Sequence, residues 1–237
     1  MPPSEIRKEA RKALKGNWGK AICIILAYTL ISFVIGFIEG LAGEGTILYN
    51  IISIVFAILS IPLSFGLVIS FIKLQRGENP KAFGFIKDGF SRFGKSWGIW
   101  FHTFLRMLLP IACMGFALIL LIALFLYNAF ADISSWLNIL AVVLYFATLV
   151  YAISRSFLYI LAYYIGYDKP ELSSKECVKT SAKLMKGNRG NYFLLQLSFI
   201  GWGILSILSI GIGMLWLIPY IAVAEVCFYD RVISKEA

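Results

Sequence analysis

Positive charge is dealt out along this chain in three clusters, and each cluster precedes a pair of helix-length apolar runs. Of the 22 Lys and Arg residues, six lie in residues 1–20, six between Lys73 and Lys95, six between Lys169 and Arg189, and two after residue 230. The remaining two, Arg106 and Arg155, sit inside apolar runs. The connections at Glu39–Gly45, Asn128–Ser135 and Ser209–Gly213 hold only acidic, small and apolar residues. Because Lys and Arg resist translocation, the basic segments are expected to stay cytoplasmic while the chain crosses and returns three times.

A mean hydropathy of +0.81, with 59% apolar and 16% aromatic residues, leaves too little polar surface for a water-soluble globule. A hydrocarbon core of about 30 Å takes roughly 20 helical residues. The apolar runs at 21–38, 47–72, 97–127, 134–165, 193–209 and 213–230 therefore read as six spans. Long continuous apolar runs exclude the alternating strands of a membrane barrel. The expected fold is all-α: a polytopic membrane protein of six transmembrane helices in three helical hairpins, each preceded by a basic amphipathic helix at the cytoplasmic interface, with both termini cytoplasmic. The middle pair exceeds the bilayer thickness and is expected to tilt, kink or project beyond it. The first run, Ile22–Ile38, follows a basic flank without an A-x-A type site, so it is expected to act as an uncleaved anchor.

The hairpins repeat. Lys12-Ala13-Leu14-Lys15-Gly16-Asn17-Trp18-Gly19 matches Lys183-Leu184-Met185-Lys186-Gly187-Asn188-Arg189-Gly190 at five of eight positions, and Phe93-Gly94-Lys95-Ser96-Trp97-Gly98 is a weaker copy. Three units within a single membrane domain follow, at 1–74, 75–166 and 167–237, each a basic helix, a Gly-Asn or Gly-Lys turn and a hairpin. Asn79-Pro80 reads as a helix start, and Ser173-Ser174-Lys175-Glu176 as a capping box. In the middle unit Phe83, Ile86, Phe90, Phe93 and Trp97 recur at three-and-four spacing, with Lys87, Arg92 and Lys95 on other faces. Such a stripe suits either a helix lying on an anionic leaflet or one packed against the spans.

Gly89-Phe90-Ser91-Arg92-Phe93-Gly94-Lys95-Ser96 matches G-x-x-x-x-G-K-[ST], the phosphate-loop pattern. A working loop follows a strand and opens a helix in a soluble α/β domain, whereas here an amphipathic helix precedes and a span follows. Cys23, Cys113, Cys177 and Cys227 lack C-x-x-C spacing, which argues against a disulfide framework or a zinc site. With His102 the only histidine and no nucleophile–base spacing, neither metal nor other cofactor nor enzyme chemistry is expected. Trp18, Trp97, Trp136 and Trp202, near span ends, are candidate interfacial anchors.

Charges inside spans need a reason, since an unpaired one costs about 3 kcal/mol on insertion scales. By helical rise Arg106 lies ~13 Å, Arg155 ~16 Å and Glu225 ~9 Å from the basic side. His102 is one turn from Arg106, Tyr151, Tyr159 and Tyr163 follow the Arg155 face, and Pro110 removes a helical bond beside Arg106. One reading ties Arg106, Arg155 and Glu225 into a structural ion network. The other leaves a positive surplus for a phospholipid phosphate or another anion.

The opening Glu5 to Arg11 and Leu14-Lys15-Gly16-Asn17-Trp18-Gly19-Lys20-Ala21, with Leu197 to Trp202 and the Gly211-Ile212-Gly213 to Pro219-Tyr220 end, resembles the bacterial membrane family known as domain of unknown function 975. The resemblance covers nearly the whole chain. It implies a polytopic protein of the bacterial cytoplasmic membrane, and it brings no reaction, ligand or catalytic residue. The functional expectation is a non-enzymatic, lipid-facing or partner-binding membrane protein. Its expected partners are anionic phospholipids and any protein docking on the basic cytoplasmic face; nucleic acid is not expected. The alternative is a small transporter or channel with a path past Arg106 and Arg155.

Overall fold

The computed structural model describes residues 2–128 and 135–235, with the side chains of Asn128 and Ser135 left out of the description. Among the described residues the chain is all-helical, with no strand. The helices are α1 (Pro3–Leu14), α2 (Trp18–Ala42), α3 (Ile47–Gln75), α4 (Gly84–Phe90), α5 (Phe93–Asn128), α6 (Ser135–Ser156), α7 (Ala162–Asp168), α8 (Ser174–Met185), α9 (Arg189–Leu197), α10 (Ile200–Leu208) and α11 (Met214–Ser234), with a 3₁₀ turn at Phe157–Tyr159 between α6 and α7. The connection expected at Asn128–Ser135 lies outside the described residues.

Five helical stretches are long and apolar enough to cross a membrane: Trp18–Ala42, Ile47–Gln75, Phe93–Tyr127, Trp136–Asp168 and Arg189–Leu208. α11 is not among them, although it is 21 residues long. Its C-terminal half carries Glu225, Asp230 and Arg231, and only Met214–Ala224 is free of charge, ~16 Å of helix.

The packed core sits at the basic end of the molecule. α2 buries Ala21, Ile24, Ile25 and Ala27, all in its first half; α3 buries residues from Ile61 onward; α11 buries residues from Leu217 to Val232. The stretches of α2 and α5 farther from that core are largely exposed, with Phe33 69% exposed, Leu41 73%, Phe116 68% and Phe125 76%. So much exposed apolar surface suits an apolar solvent, as in a membrane protein. Around this core α1 buries Ile6, Ala10 and Leu14, one stripe at four-residue spacing, against α11.

The Lys-Gly-Asn segments fold alike. After α1 and after α8 the lysine is extended, and Gly16 (φ +85°) and Gly187 (φ +100°) take the left-handed conformation that a side chain would strain. Asn17 Nδ2 then donates to the Ala13 carbonyl at 3.4 Å, and Asn188 Nδ2 to the Leu184 carbonyl at 2.9 Å. The middle copy departs from this pattern. Gly94 is helical, inside α5, and the break falls earlier, at Ser91 and Arg92. The helix expected to start at Asn79-Pro80 starts at Gly84, with Phe83 at its N-cap.

α4 is pressed onto α3 backbone to backbone. A methyl group on Gly66 would stand 1.9 Å from the Phe85 carbonyl oxygen, and one on Gly89 2.0 Å from that of Pro62. The Ser173–Glu176 capping box forms as expected: the Glu176 N–H donates to the Ser173 hydroxyl at 3.3 Å, and the Ser173 N–H to the Glu176 carboxylate at 2.8 Å. Hydrogen bonding with Ser173, side chain first and backbone second, lowers the Glu176 pKa below the usual glutamate range.

Candidate functional site

Arg106, Arg155 and Glu225 do not meet as an ion network. Glu225 Oε1 accepts from the Tyr192 hydroxyl at 2.7 Å and from Gln196 Nε2 at 2.8 Å, and Oε2 accepts from the Tyr164 hydroxyl at 3.2 Å. Neutral donors on α7 and α9 thus satisfy the carboxylate, and no arginine is among its partners. Arg106 instead lies over the Tyr159 ring, 5.8 Å from its centroid. Arg155 keeps a buried Nε without a hydrogen-bond partner.

A helix break lies between Arg155 and Tyr164 of the Glu225 cluster. The continuous face expected to align Tyr151, Arg155, Tyr159 and Tyr163 is interrupted by the 3₁₀ turn, so Tyr159 turns to Arg106 and Tyr163 packs on Phe65 with centroids 5.1 Å apart. The break is stabilised from outside: the buried Ser181 hydroxyl of α8 donates to the Leu158 carbonyl at 2.8 Å. α5, by contrast, passes Pro110 as one helix. His102 lies edge-on to Phe101 at 6.0 Å, and no group of His, Cys, Asp and Glu among the described residues could hold a metal ion.

Acidic residues scattered among the lysines tie the basic ends together, which the charge pattern alone concealed. Arg76, after α3, donates to both oxygens of Asp168 at 2.6 and 2.7 Å and to Asp230 at 3.2 Å, while the Tyr229 hydroxyl donates to Asp168 at 3.0 Å. The ends of α3, α7 and α11 share this cluster. Arg231 joins α11 to α1 through Glu9 at 2.6 Å and Glu5 at 2.8 Å, and Lys73 joins α3 to Asp88 of α4 at 2.7 Å.

The aromatic stripe of the middle unit is divided between α4 and the start of α5. Phe90, Phe93, Trp97, Trp100 and Phe104 form an unbroken ladder, with successive centroids 6.3, 6.4, 5.3 and 5.3 Å apart. Phe90, Phe93, Trp100 and Phe104 are exposed, as is Phe83, while Phe85 faces the core. Two of the basic residues expected on the other faces serve the protein. Arg92 donates to the Tyr167 carbonyl at 3.1 Å and lies over the Tyr167 ring at 4.8 Å. Lys95 donates to the carbonyls of Pro170, at 3.1 Å, and Leu172. The lysine of the phosphate-loop pattern is thus bonded to backbone, and Gly89 of that pattern serves the contact with α3. Lys81 and Lys87 remain exposed.

The family model for proteins of unknown function DUF975 matches residues 1–236. The chain belongs to DUF975. No curated protein and no solved structure matches it. The DUF975 assignment agrees with an apolar, all-helical chain and adds no chemistry to the residues described above.

Proposed function

We propose that this DUF975 protein is a non-enzymatic integral protein of the bacterial plasma membrane that works at the inner leaflet by engaging anionic phospholipid. In this reading three hairpins, six crossing segments in all, return both termini to the cytoplasmic side, α11 completing the last hairpin with its charged half toward the cytoplasm. The observation that carries the reading is the ladder from Phe90 to Phe104, exposed at every ring but Trp97, together with the exposed Lys81 and Lys87 on and before α4. Aromatic rings seat in the head-group layer, and each lysine near an anionic surface adds about 1 kcal/mol.

Native mass spectrometry of the protein released from mixed phosphatidylglycerol and phosphatidylcholine membranes tests this. Phosphatidylglycerol is expected to be retained preferentially, and the preference to fall when Lys81 and Lys87 become Gln. Equal retention of both lipids removes the proposal. The unpartnered Nε of Arg155, beside a broken helix, supports a second reading, a small transporter passing the Arg106 and Arg155 layer. That reading requires an Arg155→Leu variant that stays folded yet loses flux in proteoliposomes.

A further inference from the structure

A cavity of about 390 Å³ opens where α1 and the start of α2 face the α10–α11 hairpin. Arg11, Trp18, Trp202, Ser206, Trp216 and Tyr220 line it, and its volume is that of a small-ligand site. The two hydroxyls on its wall already have partners. The Tyr220 hydroxyl donates to the Arg7 carbonyl at 3.2 Å, and the Ser206 hydroxyl to the Trp202 carbonyl at 2.8 Å.

Arg11 differs. Its side chain is exposed and makes no hydrogen bond or ion pair with a described residue. The two acids of α1, Glu5 and Glu9, both pair with Arg231, and Arg7 donates to the Ser198 carbonyl at 3.3 Å. The mouth of the cavity therefore holds one guanidinium, five donors in a planar fork, with no protein anion assigned to it. Behind it the wall is aromatic. Trp18 meets Tyr220 at 6.3 Å, Phe199 meets Tyr220 at 5.1 Å edge-on, and Gly213, also on the wall, lies seven residues before Tyr220, ~10 Å of helix rise. That depth exceeds what a head group fills and suits a length of hydrocarbon.

We infer that this groove holds one anionic phospholipid of the cytoplasmic leaflet, its phosphate on Arg11 and one acyl chain between Trp202 and Trp216. The inference rests on the inner-leaflet reading above and assigns that reading a defined site. Within a bilayer the chain gains little from transfer, because lipid tails are as apolar as the groove. Selection must come from the charge-assisted, bidentate bond between guanidinium and phosphate. A zwitterionic head group carries its own cation beside the phosphate and competes with Arg11. The groove should therefore discriminate by head charge and be tolerant of chain type.

The test uses the full chain with Trp97, Trp100 and Trp136 changed to Phe, so that Trp18, Trp202 and Trp216 alone report. In nanodiscs of constant overall composition, bromine is placed on the chains of either phosphatidylglycerol or phosphatidylcholine at equal mole fraction. Brominated phosphatidylglycerol is expected to quench several-fold more effectively. Arg11→Gln should erase the difference with thermal unfolding unchanged, and Arg11→Lys should restore part of it. Equal quenching by the two lipids in the protein with Arg11 intact overturns the groove, as does a difference that persists in Arg11→Gln. If native mass spectrometry still finds phosphatidylglycerol retained, the groove alone has failed; if neither method finds a preference, the inner-leaflet reading has failed with it.

Discussion

Two glycines set the distance between α3 and α4, and they do so by what they lack. With methyl positions 1.9 and 2.0 Å from the opposing carbonyls, Gly66→Ala and Gly89→Ala cannot be accommodated by a side-chain rotation. Each is expected to destabilise by about 1–3 kcal/mol, in the manner of overpacking. Gly94 is the control: it has nothing within 4 Å and lies inside a helix, so Gly94→Ala should be neutral or stabilising by up to about 1 kcal/mol. Thermal unfolding in detergent would show opposite signs for the two classes of substitution. Glu225 is a residue of a second kind, an acceptor on which three neutral donors converge. Glu225→Leu leaves those donors without an acceptor, at about 1–3 kcal/mol for each that finds no other. A melting temperature unchanged from the parent would show that the cluster contributes nothing to stability.

At the scale of the elements, helix ends are held by polar contacts and helix faces by apolar ones. Arg76 draws the ends of α3, α7 and α11 together, but its side chain retains 34% exposure, so solvent screens the pairs. A double-mutant cycle between Arg76→Ala and Asp168→Ala should return a coupling of about 1 kcal/mol, the upper end for exposed pairs. The start of α8 is expected to respond to pH. The folded-state pKa of Glu176 is depressed, so its capping contribution is complete above the unfolded carboxylate value and fades as pH falls through the folded value. Amide exchange in the first turn of α8, corrected for intrinsic rates, should accelerate as the pH is lowered through that range. In Glu176→Gln the acceleration should be absent.

At the scale of the molecule, a packed core at the basic end and largely exposed apolar stretches beyond it suit two solvents, and topology is the consequence to check. In a variant without native cysteines, a cysteine at Glu44 is expected to react with a membrane-impermeant maleimide added outside cells, and cysteines at Lys87 and Lys179 only after lysis. Labelling of position 87 or 179 from outside would invert or abolish the proposed orientation. What could be read from the chain was local or periodic: the apolar runs, the Ser173–Glu176 box, and the Lys-Gly-Asn turns at Gly16 and Gly187, whose conformations follow from neighbours a few residues apart. The partners of Glu225, the pairing of Arg76 with Asp168 and Asp230, and the contact of Gly66 with α4 could not be read in that way. Nothing in a residue's own neighbourhood says which distant segment will arrive beside it. The expected Arg106, Arg155 and Glu225 network failed for that reason: depth in a membrane fixes one coordinate of a charge and leaves its azimuth open, and the break at Phe157–Tyr159 turned Arg155 and Tyr164 onto separate segments. By itself, then, the sequence determined the apolar, all-helical character of the chain and the clustering of its positive charge, because hydropathy, backbone bonding and charge act along the chain. The tertiary structure alone decided which polar groups meet and where Arg11 remains without a partner, because those depend on how helices far apart in sequence rotate and cross.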